Sequence, residues 1–564
     1  MSNKMQNILS LSSNEAINFF MKSQQYHGFE LPEYYVFDNV LQYVKNKIGN
    51  TPYEECIHKQ ISPNNLTDVN FDILLNKDGN YAVRPIVLAN PFLYYFLVRE
   101  VCNEKSWSVV RKLFEKFTVP HLTSCALPVV PCSKETFHKS TTIINWWKSM
   151  EQRSIELSLE YRYMFATDIT NCYGSVNPQV FEWAFNLKNT QYEKNRGNDI
   201  ARNIQKYLQA LQQGRNIGIP QGSAIFDFVC EIILGYSDLL LHEAIQNEGI
   251  TAPYEIIRYR DDYRIFCNNK EQLEKISYIL QQVLESLNFR MNSSKTKISE
   301  SIVTDSIKSD KLAYIFNTPI FNKKGVDFDS FQKHLLYILM FARQYPNSGQ
   351  VKIMLSDIDK RIEDWLNPKD NDSKARVESW TPIDLFDNGE DYSDIPFDEP
   401  IFNQLKEYKT RRYIPGGSAR ALVAITTQIA LENISICNYP LMVISRIIDS
   451  LTDKQEKDAI TEMVYNRLCN TPNSTYNQLW LQNMTYQNDK ENNRCDRYDI
   501  RLCQLVMGNN KVSLWDNRWL KPKYQKDFPG ESVVDAETLQ KITSVITFRE
   551  RRLYDEMTYD GTDF

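Results

Sequence analysis

Two adjacent aspartates, Asp261 and Asp262, sit between two runs of strand-forming residues, Tyr254-Glu255-Ile256-Ile257 and Tyr263-Arg264-Ile265-Phe266-Cys267. This pattern predicts a β-hairpin whose tight turn presents both carboxylates at its tip. Neighbouring carboxylates repel each other and resist desolvation, so a fold that keeps them together calls for a cation. Mg²⁺ suits the task, because it takes oxygen ligands from one or two carboxylates plus substrate phosphates. On these residues alone, a solvated Asp-Asp turn explains the pair as well.

A third carboxylate lies upstream. The run Tyr161 to Ile169 is rich in aromatic and β-branched residues and predicts a strand that delivers Asp168 at its end. Thr170-Asn171-Cys172-Tyr173-Gly174-Ser175 follows. Between the two strand regions, Gly218-Ile219-Pro220-Gln221-Gly222-Ser223 reads as a turn, and the apolar stretch Ile225 to Leu241 as a helix.

An Asp-bearing strand, a Pro-Gln-Gly turn with its helix and a Tyr-x-Asp-Asp hairpin, in that order, resemble the palm of reverse transcriptases. Asp168 matches the first motif of that family, Pro220-Gln221-Gly222 the second and Tyr259-Arg260-Asp261-Asp262 the third. Leu287 to Lys297, with Asn292-Ser293-Ser294-Lys295-Thr296, is similar to the next. Asn76-Lys77-Asp78-Gly79 and Val83-Arg84-Pro85-Ile86 resemble fingers motifs of retron and group II intron enzymes.

The resemblance implies an α+β fold with right-hand polymerase fingers and palm, the palm a ferredoxin-like sheet with helices, followed by a large all-α C-terminal domain. We place the boundaries at residues 1–70 (helical), 71–310 (fingers and palm), 311–400 (thumb-like or linking helices) and 401–564 (helical). The implied catalytic residues are Asp168, Asp261 and Asp262. With Ile169 they form the set expected to hold two Mg²⁺ ions, for which Mn²⁺ could substitute. Two such ions, about 3.5–4 Å apart, stabilise the attacking and leaving oxygens of phosphoryl transfer. Lys77, Arg84, Tyr173, Gln221 and Lys295 are the implied nucleotide-binding residues. Arg suits phosphate as a bidentate fork and Lys as a point charge. Lys295 reads equally as a surface lysine. Tyr173, five residues after Asp168, stands where the family places an aromatic sugar gate that excludes a 2′-hydroxyl; among 32 tyrosines, a packed core ring is the alternative.

Composition bounds the rest. A chain of 564 residues is too long for one core and predicts two or three domains. No stretch approaches 18 uninterrupted apolar residues, so no membrane span is expected. The polar start and eleven cysteines without a Cys-x-x-Cys pair fit a cytoplasmic protein with reduced thiols. A net charge of −6 argues against an enzyme that coats long duplexes, since phosphate neutralisation dominates such binding. Part of that excess is local, in Asp384 to Glu399. Residues 1 to 70 read as mostly helical, with a capping box at Ser12-Ser13-Asn14-Glu15. Helices are expected again from Leu335 to Phe341, Ala419 to Leu451 and Lys454 to Leu468.

The C-terminal half bears on the branch of the family. Maturases add a basic DNA-binding segment and often a nuclease with paired His and Cys; neither is visible, and the chain has six His. A long helical extension resembles instead the bacterial abortive-infection and defence-associated reverse transcriptases. That resemblance implies an RNA-directed or template-independent DNA polymerase in antiviral (phage) defence. Its partners would be dNTPs and a nucleic acid template or product, with a non-coding RNA or homo-oligomer in some members. Protein priming from a tyrosine also occurs in the group, and Tyr554 and Tyr559 are accessible candidates. An RNA-dependent RNA polymerase and a non-catalytic RNA-binding or phage-sensing scaffold are the alternatives. Lys406, Lys409, Arg411 and Arg412, beside Tyr408 and Tyr413, could hold RNA or form a solvated helix face.

Overall fold

The computed structural model describes residues 6–77, 82–130, 145–187, 191–317, 331–367, 414, 416–509 and 511–550. Asp78, Gly79, the Asp384–Glu399 acidic stretch, the basic cluster Lys406, Lys409, Arg411 and Arg412 with Tyr408 and Tyr413, and Tyr554 and Tyr559 lie outside them. The chain divides into two compact units. One comprises Met1–Phe321, Arg494–Ile542 and Phe548–Phe564; the other comprises Asn322–Asn493 and Thr543–Thr547.

Among the described residues of the first unit, nine strands run in chain order: β1 (Gln6–Asn7), β2 (Phe71–Asn76), β3 (Val83–Leu88), β4 (Leu122–Ser124), β5 (Val129–Val130), β6 (Tyr163–Asp168), β7 (Tyr254–Tyr259), β8 (Asp262–Cys267) and β9 (Lys297–Ser299). Five of them form one sheet in the order β4-β7-β8-β6-β9. The pairs β7–β8, β8–β6 and β6–β9 are antiparallel, and β4 adds parallel to β7. The β6–β7 connection is helical and ends in the long helix Ala224–Asn247, and the helix Lys270–Ser286 connects β8 to β9. The result is the β-α-β-β-α-β arrangement of a ferredoxin-like sheet. This agrees with the palm expected from the sequence.

The long helix Ala224–Asn247 is apolar around most of its circumference because it is buried between layers, with Phe226, Phe228, Val229, Ile232 and Ile233 almost wholly covered. A separate antiparallel hairpin, β2–β3, carries the fingers motifs. Before it, the helix Ser13–Phe20 starts with the expected capping box, Ser12 bonding the Glu15 amide and Glu15 the Ser12 amide.

The segment Arg494–Ile542, which sequence patterning groups with the helices before it, packs in the first unit. Buried Trp515 donates its indole N–H to the Leu88 carbonyl at 3.1 Å, and Lys521 bonds Cys56 through the backbone at 2.8 Å.

The second unit contains the helices Phe331–Gln344, Gly349–Leu366, Gly416–Glu432, Asn438–Asp449, Lys454–Cys469 and Thr475–Glu491. The helical stretch expected from Ala419 to Leu451 is formed by two of these, Gly416–Glu432 and Asn438–Asp449. Asn433 breaks it: its side chain donates to the Ile429 carbonyl at 3.0 Å and accepts from the Asn347 amide at 2.7 Å. Such side-chain competition for backbone partners ends helices. Among the described residues, no helix is long and apolar enough to cross a membrane.

Candidate active site

The site forms where β6 ends and β8 begins. Antiparallel register places Asp168 directly opposite Asp262. Cross-strand neighbours project to the same face of a sheet, so the two carboxylates share one side. Tyr259 and Asp262 close the β7–β8 hairpin, leaving Arg260 and Asp261 as its two turn residues. Asp261 is pinned by its carbonyl, which accepts the Ile169 N–H at 3.1 Å. Sequence reasoning thus found the right hairpin; Asp261 occupies the turn itself and Asp262 the first strand position.

Lys295 joins this group. Its Nζ lies 3.0 Å from Asp168 Oδ2. The other oxygen, Oδ1, is buried without a hydrogen-bond partner. The Asp168 carbonyl accepts the Asn292 amide at 2.9 Å, tying the Lys295 loop to the end of β6.

Burial and charge crowding both act on the pair. Burial raises the Asp261 carboxyl, and Asp168 adds to the effect while Arg260 and Arg84 oppose it. Asp262 is pushed up to about 6, first by desolvation and then by Asp261 and Asp168. Its side chain keeps an open edge toward solvent, which softens the electrostatic part.

The nucleotide-side residues distribute unevenly. Gln221 lies in the turn before the long helix, and its carbonyl accepts the Val87 N–H of β3 at 2.8 Å. Gly222 is demanded there. Its φ is +120°, and a Cβ would stand 2.8 Å from Ile86 Cγ2 and 3.1 Å from the Val87 carbonyl oxygen. Arg84 is exposed on β3, with its charge felt at Asp261. Tyr173 sits in the short helical turn after β6 and donates its hydroxyl to Asp227 Oδ1 at 2.7 Å. Lys77 lies just beyond β2, exposed, its amide bonded to the Ala82 carbonyl at 2.9 Å.

Residues 105–328 match the family described as "Reverse transcriptase (RNA-dependent DNA polymerase)". The first unit carries a reverse transcriptase domain. The domain is that of an RNA-directed DNA polymerase, a nucleotidyltransferase. No curated protein matches the chain. Among solved structures, the apo telomerase of Candida tropicalis covers 76% of this chain and 74% of its own at 12% identity, with a TM-score of 0.29. The telomerase of Candida albicans in complex with the TWJ fragment of telomeric RNA covers 78% and 69% at 11% identity, with a TM-score of 0.27.

Among the described residues, no three Asp, Glu, His or Cys side chains already converge as a metal cage. The carboxylates of this reverse transcriptase domain nevertheless fit a divalent cation. Asp168 Oδ1 is buried and without a hydrogen-bond partner, and Mg²⁺ typically completes its octahedron with water and substrate phosphates rather than an all-protein cage.

Sequence reasoning missed the scaffold behind the catalytic hairpin of the reverse transcriptase domain. Asp227, Glu231 and Asp238 recur at four and eleven residues along the long helix, which puts them on one face. Arg258 and Arg260 alternate with Tyr259 and meet that face. Arg258 is fully buried, with Nη2 2.6 Å from both Glu231 Oε1 and Asp238 Oδ2. Arg260 pairs with Asp227 at 2.6 Å. The signal was present: three acids at helical spacing in an otherwise apolar run.

Proposed function

We propose that this protein makes DNA from deoxynucleotides by two-metal nucleotidyl transfer at Asp168, Asp261 and Asp262, and that it acts in antiviral (phage) defence. The observation that carries the chemistry is the register pairing of Asp168 with Asp262, with Asp261 on the adjoining turn and Asp168 Oδ1 buried and unpartnered. Asp168, Asp261 and Asp262 would hold Mg²⁺, or Mn²⁺ in its place, with the Ile169 backbone alongside. The bound ions supply charge stabilisation to the attacking and leaving oxygens.

The chain's own groups do the rest. A 3′-hydroxyl oxygen bonds to the α-phosphorus of the incoming nucleotide as the bond to pyrophosphate breaks, and the hydroxyl proton passes to water. Lys295, 3.0 Å from Asp168, stands where its ammonium can turn to the departing pyrophosphate and give it a proton. Arg84 meets the triphosphate from β3, while the Gln221 turn, bonded to the same strand, contacts the nucleotide. Tyr173 selects deoxyribose.

Nucleic acid as template or product follows from polymerase chemistry. The defence role rests on the resemblance of the palm and helical half to abortive-infection enzymes, as do protein priming, a non-coding RNA partner and self-association.

Two experiments test the reading. Purified protein is given labelled dNTPs or rNTPs with Mg²⁺, with and without added template and primer, and products are treated with DNase, RNase or protease. DNase-sensitive product from dNTPs is expected; a product only from rNTPs would establish the RNA polymerase alternative. Phage plating on cells that express the wild type or Asp261→Ala/Asp262→Ala tests defence. Equal plating on both would remove synthesis from any protective role.

A further inference from the structure

We infer that Asp227 and Arg260 set the sugar selectivity of this polymerase by fixing the hydroxyl end of Tyr173. The inference rests on Tyr173 being the sugar gate, and it assigns to two residues outside the implied nucleotide-binding set the task of holding that gate still.

One carboxylate links three parts of the domain. Asp227 lies in the first turn of the long helix, four residues after Ser223, whose carbonyl accepts its amide at 3.3 Å. Its Oδ1 accepts the Tyr173 hydroxyl at 2.7 Å, and its Oδ2 takes Arg260 Nη2 at 2.6 Å. Tyr173 belongs to the turn that follows Asp168, and Arg260 precedes Asp261 in the catalytic hairpin. The bridge therefore runs from one aspartate-bearing segment to the other, through the helix that starts at the nucleotide turn.

Each member is placed for this work. Burial and the Asp227 charge hold the Tyr173 hydroxyl well above its ordinary pKa, so it stays a donor. Arg260 has a φ of +54°, a left-handed conformation unusual for a side chain of its size. Residues in such conformations persist where surrounding contacts over-determine them; the ion pair with Asp227 is such a contact. The Tyr173 backbone is also fixed, its carbonyl accepting the Ile219 amide at 2.8 Å. A ring tethered at both ends resists the displacement that a ribose 2′-hydroxyl would require. An untethered ring of the same size yields more readily.

Selectivity should then depend on the hydroxyl and its acceptor, beyond the bulk of the ring. The test measures kcat/KM for a dNTP and the matching rNTP in full-length wild type, Tyr173→Ala, Tyr173→Phe and Asp227→Asn, with melting curves for each. Tyr173→Ala should collapse the dNTP-to-rNTP ratio. Tyr173→Phe should lower it by about five- to tenfold, the worth of one hydrogen bond, and Asp227→Asn, which keeps an acceptor for Tyr173 but drops the ion pair with Arg260, should lower it by less, in both cases because rNTP kcat/KM rises. Tyr173→Phe retains Asp227 and Arg260, so it tests the tether even where Asp227→Asn does not fold. An unchanged ratio in Tyr173→Ala would overturn the gate reading itself. A collapsed ratio in Tyr173→Ala with wild-type ratios in Tyr173→Phe and folded Asp227→Asn would overturn the tether alone.

Discussion

Arg258 grips both carboxylate oxygens of Asp238, with Nε at 2.9 and 3.0 Å and Nη2 at 2.6 Å, and no part of the guanidinium is exposed. It binds Glu231 as well, and its Nη1 donates to the Arg260 carbonyl at 3.0 Å. The catalytic hairpin is thereby held to the long helix by a buried cation immediately behind the aspartates. Removing one partner of a buried pair leaves uncompensated charge, at a cost of about 3–5 kcal/mol. Arg258→Met should lose about that much stability in chemical denaturation. A loss below about 1 kcal/mol would show that the clamp is dispensable.

The same burial sets a pH dependence. Asp238 is pushed up to about 6 by desolvation and by Glu231, against the pull of Arg258, and Asp262 is raised similarly. A folded pKa above the unfolded value means that the native state binds more protons between about pH 4 and 6. Stability without metal should therefore fall as pH rises through that window. Mg²⁺ needs the deprotonated carboxylates, so its stabilising shift in melting temperature should grow between pH 5 and 7. In Asp262→Asn that growth should largely disappear, and equal Mg²⁺ shifts at both pH values in the wild type would contradict the assignment.

Gly222 offers a local test of the nucleotide turn. Gly222→Ala places a methyl against Ile86 and the Val87 carbonyl in a backbone conformation that L side chains rarely adopt. We expect at least about tenfold loss in kcat/KM for dNTPs, because small misplacements of positioning groups are costly, with most of the fold intact by circular dichroism. Wild-type kinetics would mean that the turn does not position the nucleotide.

Much of the palm was legible because its chemistry is local. Asp168 ends a strand, Asp261 and Asp262 close a hairpin, and Gly218 to Ser223 punctuates a turn, so short-range patterning located each. The capping box at Ser12 and Glu15 was readable for the same reason. What escaped depends on long-range packing. Arg258 and Arg260 look like ordinary flanking charges until the acidic face of the long helix is set against them. Residue identity gave no sign that Trp515 closes on the fingers strand at Leu88, more than four hundred positions earlier. The break at Asn433 hid inside an apolar run, because its partner is remote in sequence, Asn347 in the turn between the helices Phe331–Gln344 and Gly349–Leu366.

The most direct test of the central claim is single-turnover incorporation of labelled dNTP by the wild type and by Asp261→Ala/Asp262→Ala, at matched folding and saturating Mg²⁺. The account predicts that the double variant loses at least about a thousandfold in rate, since removal of a single charge-stabilising group at a reacting centre already costs about 10²–10³. Incorporation within a few-fold of wild type would contradict it, and the paired aspartates would then have no part in the chemistry.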